Sequence, residues 1–97
     1  MTITEQDRQA FLAGTRGAVL RGTAKVAQAR ATLAAAEAAA NHMSPLQGQR
    51  LRRKVRAAQT NLDWLVAELR TLAATGKRLA LISDDEYDAA MNAVRGN

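Results

Sequence analysis

The chain has no cysteine, a single proline and only three aromatic residues, Phe11, Trp64 and Tyr87, among its 97 positions. The absence of cysteine excludes disulfide bonds, thiolate metal sites and cysteine nucleophiles. No apolar run approaches the roughly 20 residues that a membrane-spanning helix needs, and the polar stretch at positions 2–7 is unlike a signal peptide. We therefore expect a cytoplasmic protein without membrane contact, or a protein inside a virion if it is a structural protein of a phage.

Large apolar side chains are also scarce. Hydrophobic residues make up 47% of the chain, but 22 of them are alanine. This composition favours helix over strand, and it supplies little material for the core of a compact monomer. We expect one all-α domain over residues 1–97 that gains further stability by association.

The charge of the chain is basic and unevenly distributed. Fourteen Lys and Arg residues against nine Asp and Glu residues give a net charge of +5. Residues 1–82 carry 13 basic and five acidic groups, a net charge of +8, whereas residues 83–97 carry one basic and four acidic groups, a net charge of −3. This distribution predicts an anionic partner, or a C-terminal tail that docks on its own basic body.

Pro45 divides the chain into two long helical segments. Ser44, Pro45 and Gln47 match an N-cap serine, a proline at the first helical position and a capping-box glutamine. Thr75 and Gly76 indicate the end of that helix. We predict a long antiparallel helical hairpin with a short third helix: helix 5–41, helix 45–75, connector 76–82 and helix 84–95.

The second helix carries a heptad pattern, in which apolar residues alternate at steps of four and three: Leu51, Val55, Ala58, Leu62, Leu65, Leu69 and Leu72. The first helix repeats an apolar residue every seven positions, with small residues between them. We predict that these two stripes pack together as a coiled-coil-like seam that includes Val26, Leu33, Val55, Leu62, Leu65 and Leu69.

The last helix has a capping-box start. Ser83 stands at the N-cap and Glu86 at the third helical position, and acidic residues at 84–86 suit the positive end of the helix dipole. Trp64 lies outside the heptad seam, as does Val66. We expect the last helix to pack near Trp64 and cover both side chains.

The candidate partner-binding residues are basic. Five like charges occur within seven positions of the second helix and surround every face except the buried one, at Arg50, Arg52, Arg53, Lys54 and Arg56. A looser basic strip follows the first helix at Arg16, Arg21, Lys25 and Arg30. Like charges this close repel one another, so we expect them to bind anions supplied by the tail, by another protein or by phosphates.

The sequence offers no constellation that performs catalysis. The single histidine, His42, has no acidic residue near it, and the acids at 84–88 lack the glycine and glutamate positions of a calcium loop. No nucleophile stands beside a base in a recognisable pattern. We expect neither enzymatic activity nor a metal ion or other cofactor.

The leading interpretation is a non-enzymatic interaction or structural assembly protein, of bacterial or phage origin. Its apolar helix faces would mediate a homodimer or larger bundle, or contact another protein, while the basic residues select an acidic surface. The alternative is a protein that binds nucleic acid without sequence preference through both basic strips. No base-reading motif or aromatic stacking platform accompanies those strips.

Overall fold

The computed structural model describes residues 4–96 and contains three helices: α1 (Glu5–Asn41), α2 (Gly48–Arg78) and α3 (Asp84–Arg95). The first three residues and the last, which the predicted domain over 1–97 includes, lie outside the described residues. No strand occurs between residues 4 and 96, which confirms the all-α prediction. α1 and α2 form a long hairpin, and the molecule measures 61 × 29 × 14 Å.

The hairpin is held together by apolar side chains of α2 that pack between small residues of α1. Val19 and Val26 of α1 are fully buried, and Leu62 and Leu69 of α2 are buried against them. Gly22 allows a close approach, because a methyl group built there would lie 3.1 Å from Leu69 Cδ1. Of the other residues predicted for the seam, Leu33 is buried, while Val55 and Leu65 are half-buried and pack against the core.

α2 begins at Gly48, three residues later than predicted. Ser44 Oγ accepts a hydrogen bond from the Gln47 amide at 3.4 Å, and the Ser44 carbonyl accepts one from the Gly48 amide at 2.7 Å. The carbonyl of Pro45 instead accepts a hydrogen bond from Arg52 Nη2 at 2.7 Å. Residues 45–47 form a turn that leads into the helix, and the Arg52 side chain holds this turn against it.

α2 also continues past the predicted stop at Gly76 and ends at Arg78, so the connector is residues 79–83. Gly76 is buried, because Ile82 packs onto it: a methyl group built at Gly76 would lie 3.2 Å from Ile82 Cγ1. The helix closes with two hydrogen bonds of a Schellman motif, from Leu81 N to the Gly76 carbonyl (2.8 Å) and from Ala80 N to the Lys77 carbonyl (3.1 Å). Ala80 occupies the left-handed position, with φ at 56°.

Replacement of Ala80 by glycine is expected to stabilise the protein by about 1 kcal/mol, because a left-handed backbone costs an L-residue with a Cβ atom about 1–2 kcal/mol. The matched control is Ala57→Gly at an exposed position inside α2, which is expected to destabilise the protein by about 1 kcal/mol. Urea unfolding followed by circular dichroism measures both changes. Equal effects of the same sign would contradict the assignment of Ala80 to the helix stop.

α3 packs against both α1 and α2 and runs parallel to α1. Its first turn lies at Arg16, whose Nε is 2.8 Å from Glu86 Oε2, and its last residues lie at Arg30. Ala90 and Val94 are its buried residues and belong to the core, against which the half-buried Val66 of α2 also packs. The capping box of Ser83 and Glu86 forms as predicted, with hydrogen bonds of 2.8 and 3.1 Å.

The prediction that α3 covers Trp64 is wrong, since 64% of the Trp64 side chain remains exposed. Trp64 and Val66 are two residues apart and therefore point about 200° apart around α2. A single helix that packs over Val66 leaves Trp64 on the other side of the hairpin.

Candidate functional site: the basic end of the hairpin

The five basic residues at the start of α2 are all exposed and radiate from the first three turns of that helix. They lie next to the 42–47 turn, at the end of the hairpin where α1 stops and α2 starts. We call this set the basic end: Arg50, Arg52, Arg53, Lys54 and Arg56. Arg52 also bonds to the Pro45 carbonyl, which fixes the turn against the helix.

The basic end carries most of the excess charge of the whole protein. Residues 31–60 contain five basic groups and one acidic group, Glu37, which is a net charge of +4. The remaining residues contain nine basic and eight acidic groups, a net charge of +1. Most of the +5 net charge of the chain is therefore concentrated at one end of an elongated molecule.

The local backbone increases this positive potential. The N-terminus of α2, which is the positive end of its dipole, lies inside the basic end, and the first turn contains no acidic residue. Among residues 4–96 the only ion pair within 4.0 Å joins Arg16 of α1 and Glu86 of α3, away from the basic end. The five side chains of the basic end thus have no acidic partner in the described part of the chain.

The basic strip predicted on α1 is divided by α3. Arg16 pairs with Glu86, and Arg30 donates from Nε to the Ala93 carbonyl at 2.8 Å and from Nη2 to the Val94 carbonyl. Arg30 thereby binds two carbonyl groups in the last turn of α3, where the helix supplies few donors of its own. Arg21 and Lys25 lie on the opposite side of α1 and are exposed. The predicted strip is therefore not one continuous surface, and two of its four members bind α3.

The acidic tail docks on its own body, one of the two outcomes that the charge distribution predicted, but away from the basic end. The pKa of Glu86 is lowered, first by its hydrogen bond from the Ser83 amide and then by Arg16, while desolvation opposes both. Glu86 therefore stays ionised at neutral pH, and its contact to Arg16 stays charge-assisted.

The structural role of Arg30 could not be read from the sequence. Periodicity places Arg30 on the first helix, but the carbonyl groups it binds are 63 and 64 residues away in the sequence. A hydrogen bond from a side chain to a distant backbone carbonyl leaves no pattern in residue spacing.

The other candidate sites are metal-binding, histidine and membrane features. Within residues 4–96, no group of three or more His, Cys, Asp or Glu side chains is arranged to hold a metal ion. His42 is exposed in the turn after α1. None of the helices in this described range has the length and apolar character that crossing a membrane requires.

Comparison of the chain with protein-family models, with curated proteins and with solved structures finds no match.

Proposed function

We propose that the protein is a non-enzymatic interaction module that binds an acidic protein surface through its basic end. The supporting observation is the concentration of unpaired charge: five exposed cations at the start of α2 have no acidic partner among residues 4–96. Complementary charge on a partner would speed encounter and select the orientation of docking.

The cost of these charges to the fold supports the same proposal. Basic residues at a helix N-terminus oppose the helix dipole, and like charges three or four residues apart repel each other. Arg50 and Lys54 stand in this relation, as do Arg52 and Arg56. An arrangement that lowers stability without a compensating contact within the described chain is typical of a binding surface.

The position of α3 favours a protein surface over a nucleic-acid duplex. A duplex that used both basic strips would need Arg16 and Arg30 for its phosphates, but these side chains bind Glu86 and the end of α3. The basic end alone offers at most five phosphate contacts, on a convex tip.

The test is a titration with poly-glutamate, and separately with duplex DNA, at 50 and 200 mM salt. We expect poly-glutamate binding at low salt, and we expect charge reversal at Arg50, Arg53 and Arg56 to glutamate to abolish it. Arg52 is left unchanged to preserve its bond to Pro45. The reversal places acids at the positive end of α2, so we expect the variant to be at least as stable as the original.

The matched control reverses three exposed basic residues elsewhere, Arg8, Arg70 and Arg78, with the same change in net charge. This control is expected to keep most of the binding. If both triple variants lose binding equally, net charge rather than the basic end is responsible. If DNA alone binds, with an affinity that falls a few hundred-fold or more between the two salt concentrations, the protein is a nucleic-acid-binding protein instead.

A further inference from the structure

The hairpin has two long grooves between α1 and α2, and α3 fills only one of them. On the other side, two adjoining hollows of about 210 and 400 Å³ share Lys25 and Leu65 and form one open groove. Its apolar lining is Ala18, Gly22, Ala29, Ala58, Leu65 and Leu72. The groove follows α1 from residue 18 to residue 32, which is about 21 Å at 1.5 Å per residue. Because α3 packs in the filled groove as an amphipathic helix, the open groove is also suited to bind an amphipathic helix.

The largest exposed aromatic side chain of the protein stands at the edge of this open groove. Trp64 contributes to the 210 Å³ hollow and also to a shallow surface formed with Ala67, Thr71 and Leu72. It is 64% exposed and is the only tryptophan in the chain. Tryptophan is enriched among the residues that dominate binding energy at protein interfaces.

The two edges of the open groove carry opposite charges. Arg21 and Lys25 lie on the α1 edge, and Glu68 lies on the α2 edge. Because Gly22 packs on Leu69, Arg21 and Glu68 stand at the same height along the hairpin. Neither Arg21 nor Lys25 forms an ion pair with Glu68. The one ion pair among residues 4–96 joins Arg16 and Glu86.

We infer that the open groove binds a second copy of this chain, about a two-fold axis parallel to the hairpin. About that axis both hairpins point the same way, and α1 of each protomer lies over α2 of the other and antiparallel to it. At equal height, Glu68 of each protomer then faces Arg21 of the other, and Trp64 faces Lys25, which suits a cation–π contact. An axis across the hairpin would instead bring α1 against α1 and place Arg21 opposite Lys25, so the charges select the parallel arrangement.

The first measurement is sedimentation equilibrium of the full chain across a wide concentration series at about 150 mM salt, where distant charges are largely screened. We expect a mass that rises from 10.4 kDa to twice that value. The emission of Trp64, the only tryptophan, is expected to shift to shorter wavelength over the same concentrations as the ring leaves water. A strict monomer with unchanged emission at every concentration would overturn the proposal and leave the groove to a helix of another protein.

The second measurement tests the pairing itself. Glu68→Arg places two arginines against each other in the dimer, and Arg21→Glu places two glutamates against each other. Each variant alone is expected to dissociate at least about tenfold more readily than the original chain. An equimolar mixture is expected to recover the dimer, because both contacts of the mixed dimer again join opposite charges.

The control is Asp63→Arg, an equal change of charge on α2 about 140° around the helix from Glu68. This variant is expected to dimerise like the original, and Trp64→Ala is expected to weaken the dimer at least about tenfold while the helical circular dichroism stays unchanged. A dimer that survives both Trp64→Ala and Glu68→Arg uses another surface and contradicts the inference. A mixture that fails to recover the dimer contradicts the parallel arrangement.

Discussion

Replacement of Leu69 by alanine is expected to destabilise the protein by about 2–5 kcal/mol, which is the range for leucine-to-alanine changes in protein cores. Leu69 is 1% exposed and is the largest of the fully buried side chains. Its Cδ1 packs against Gly22, which has no side chain to move into the space that the leucine leaves. The cavity would remain at a close approach of α1 and α2.

A loss of this size is comparable to the whole stability of a small core, which is about 3–5 kcal/mol. We therefore expect the variant to be largely unfolded at 25 °C, as seen by loss of helical circular dichroism. The control is Leu46→Ala in the turn, whose side chain is 87% exposed and which is expected to change stability by less than about 0.5 kcal/mol. A Leu69→Ala variant that unfolds at the same urea concentration as the original would contradict the packing of the hairpin.

Replacement of Arg30 by alanine is expected to release α3 while the hairpin stays folded. The guanidinium group is half-buried and donates to the carbonyl groups of Ala93 and Val94, and hydrogen bonds from charged groups contribute about 1.5–3 kcal/mol. We expect the docking of α3 to weaken by about 2 kcal/mol, or roughly 30-fold. Arg30→Lys retains the charge but lacks the planar guanidinium group that binds both carbonyl groups. We expect this variant to restore the docking of α3 only in part.

The measurement is amide hydrogen exchange, which reports each helix separately. The amides of α3 are expected to exchange faster in the Arg30→Ala variant, whereas those of α1 and α2 near Val26 and Leu62 keep their protection. Lys25→Ala is the control, because Lys25 lies on the side of α1 that faces away from α3. Equal protection of α3 in both variants would show that the helix is held without the Arg30 hydrogen bonds and would contradict this prediction.

The long helices and their packing face could be predicted because they depend on local and periodic signals. Alanine-rich composition determines α1, the heptad steps place Leu62 and Leu69 inside, and Ser83 with Glu86 marks the start of α3. Each of these signals involves residues within about seven positions of one another, so it can be recognised in the sequence. The all-α hairpin follows from them.

The ends of α2 and the position of α3 depend on contacts that no local signal records. Arg52 takes the carbonyl of Pro45, and Ile82 packs on Gly76 so that the helix turns at Ala80 instead. These residues are only six or seven positions apart, but their contacts depend on the conformations of the Arg52 and Ile82 side chains, which no capping or periodicity rule specifies. The prediction for Trp64 failed for a different reason, because it required one helix to cover two nearly opposite sides of α2.

The basic end could be located from the sequence, but its isolation from the acidic tail could not. Sequence reasoning left the tail free to dock anywhere on the basic body. The direction of α3, parallel to α1, brings Glu86 to Arg16 and keeps the acids at 84–88 away from the start of α2. The direction of α3 is thus the reason that the basic end has no acidic partner among residues 4–96.

The elongated shape gives this charge a mechanical consequence. A rod of 61 × 29 × 14 Å with most of its net charge at one tip has a large permanent dipole moment. The field of an anionic surface exerts a torque on such a rod and turns it tip-first before contact. If the basic end binds as proposed, the molecule stands upright, and the 37 residues of α1 place the start of that helix about 55 Å above the bound surface.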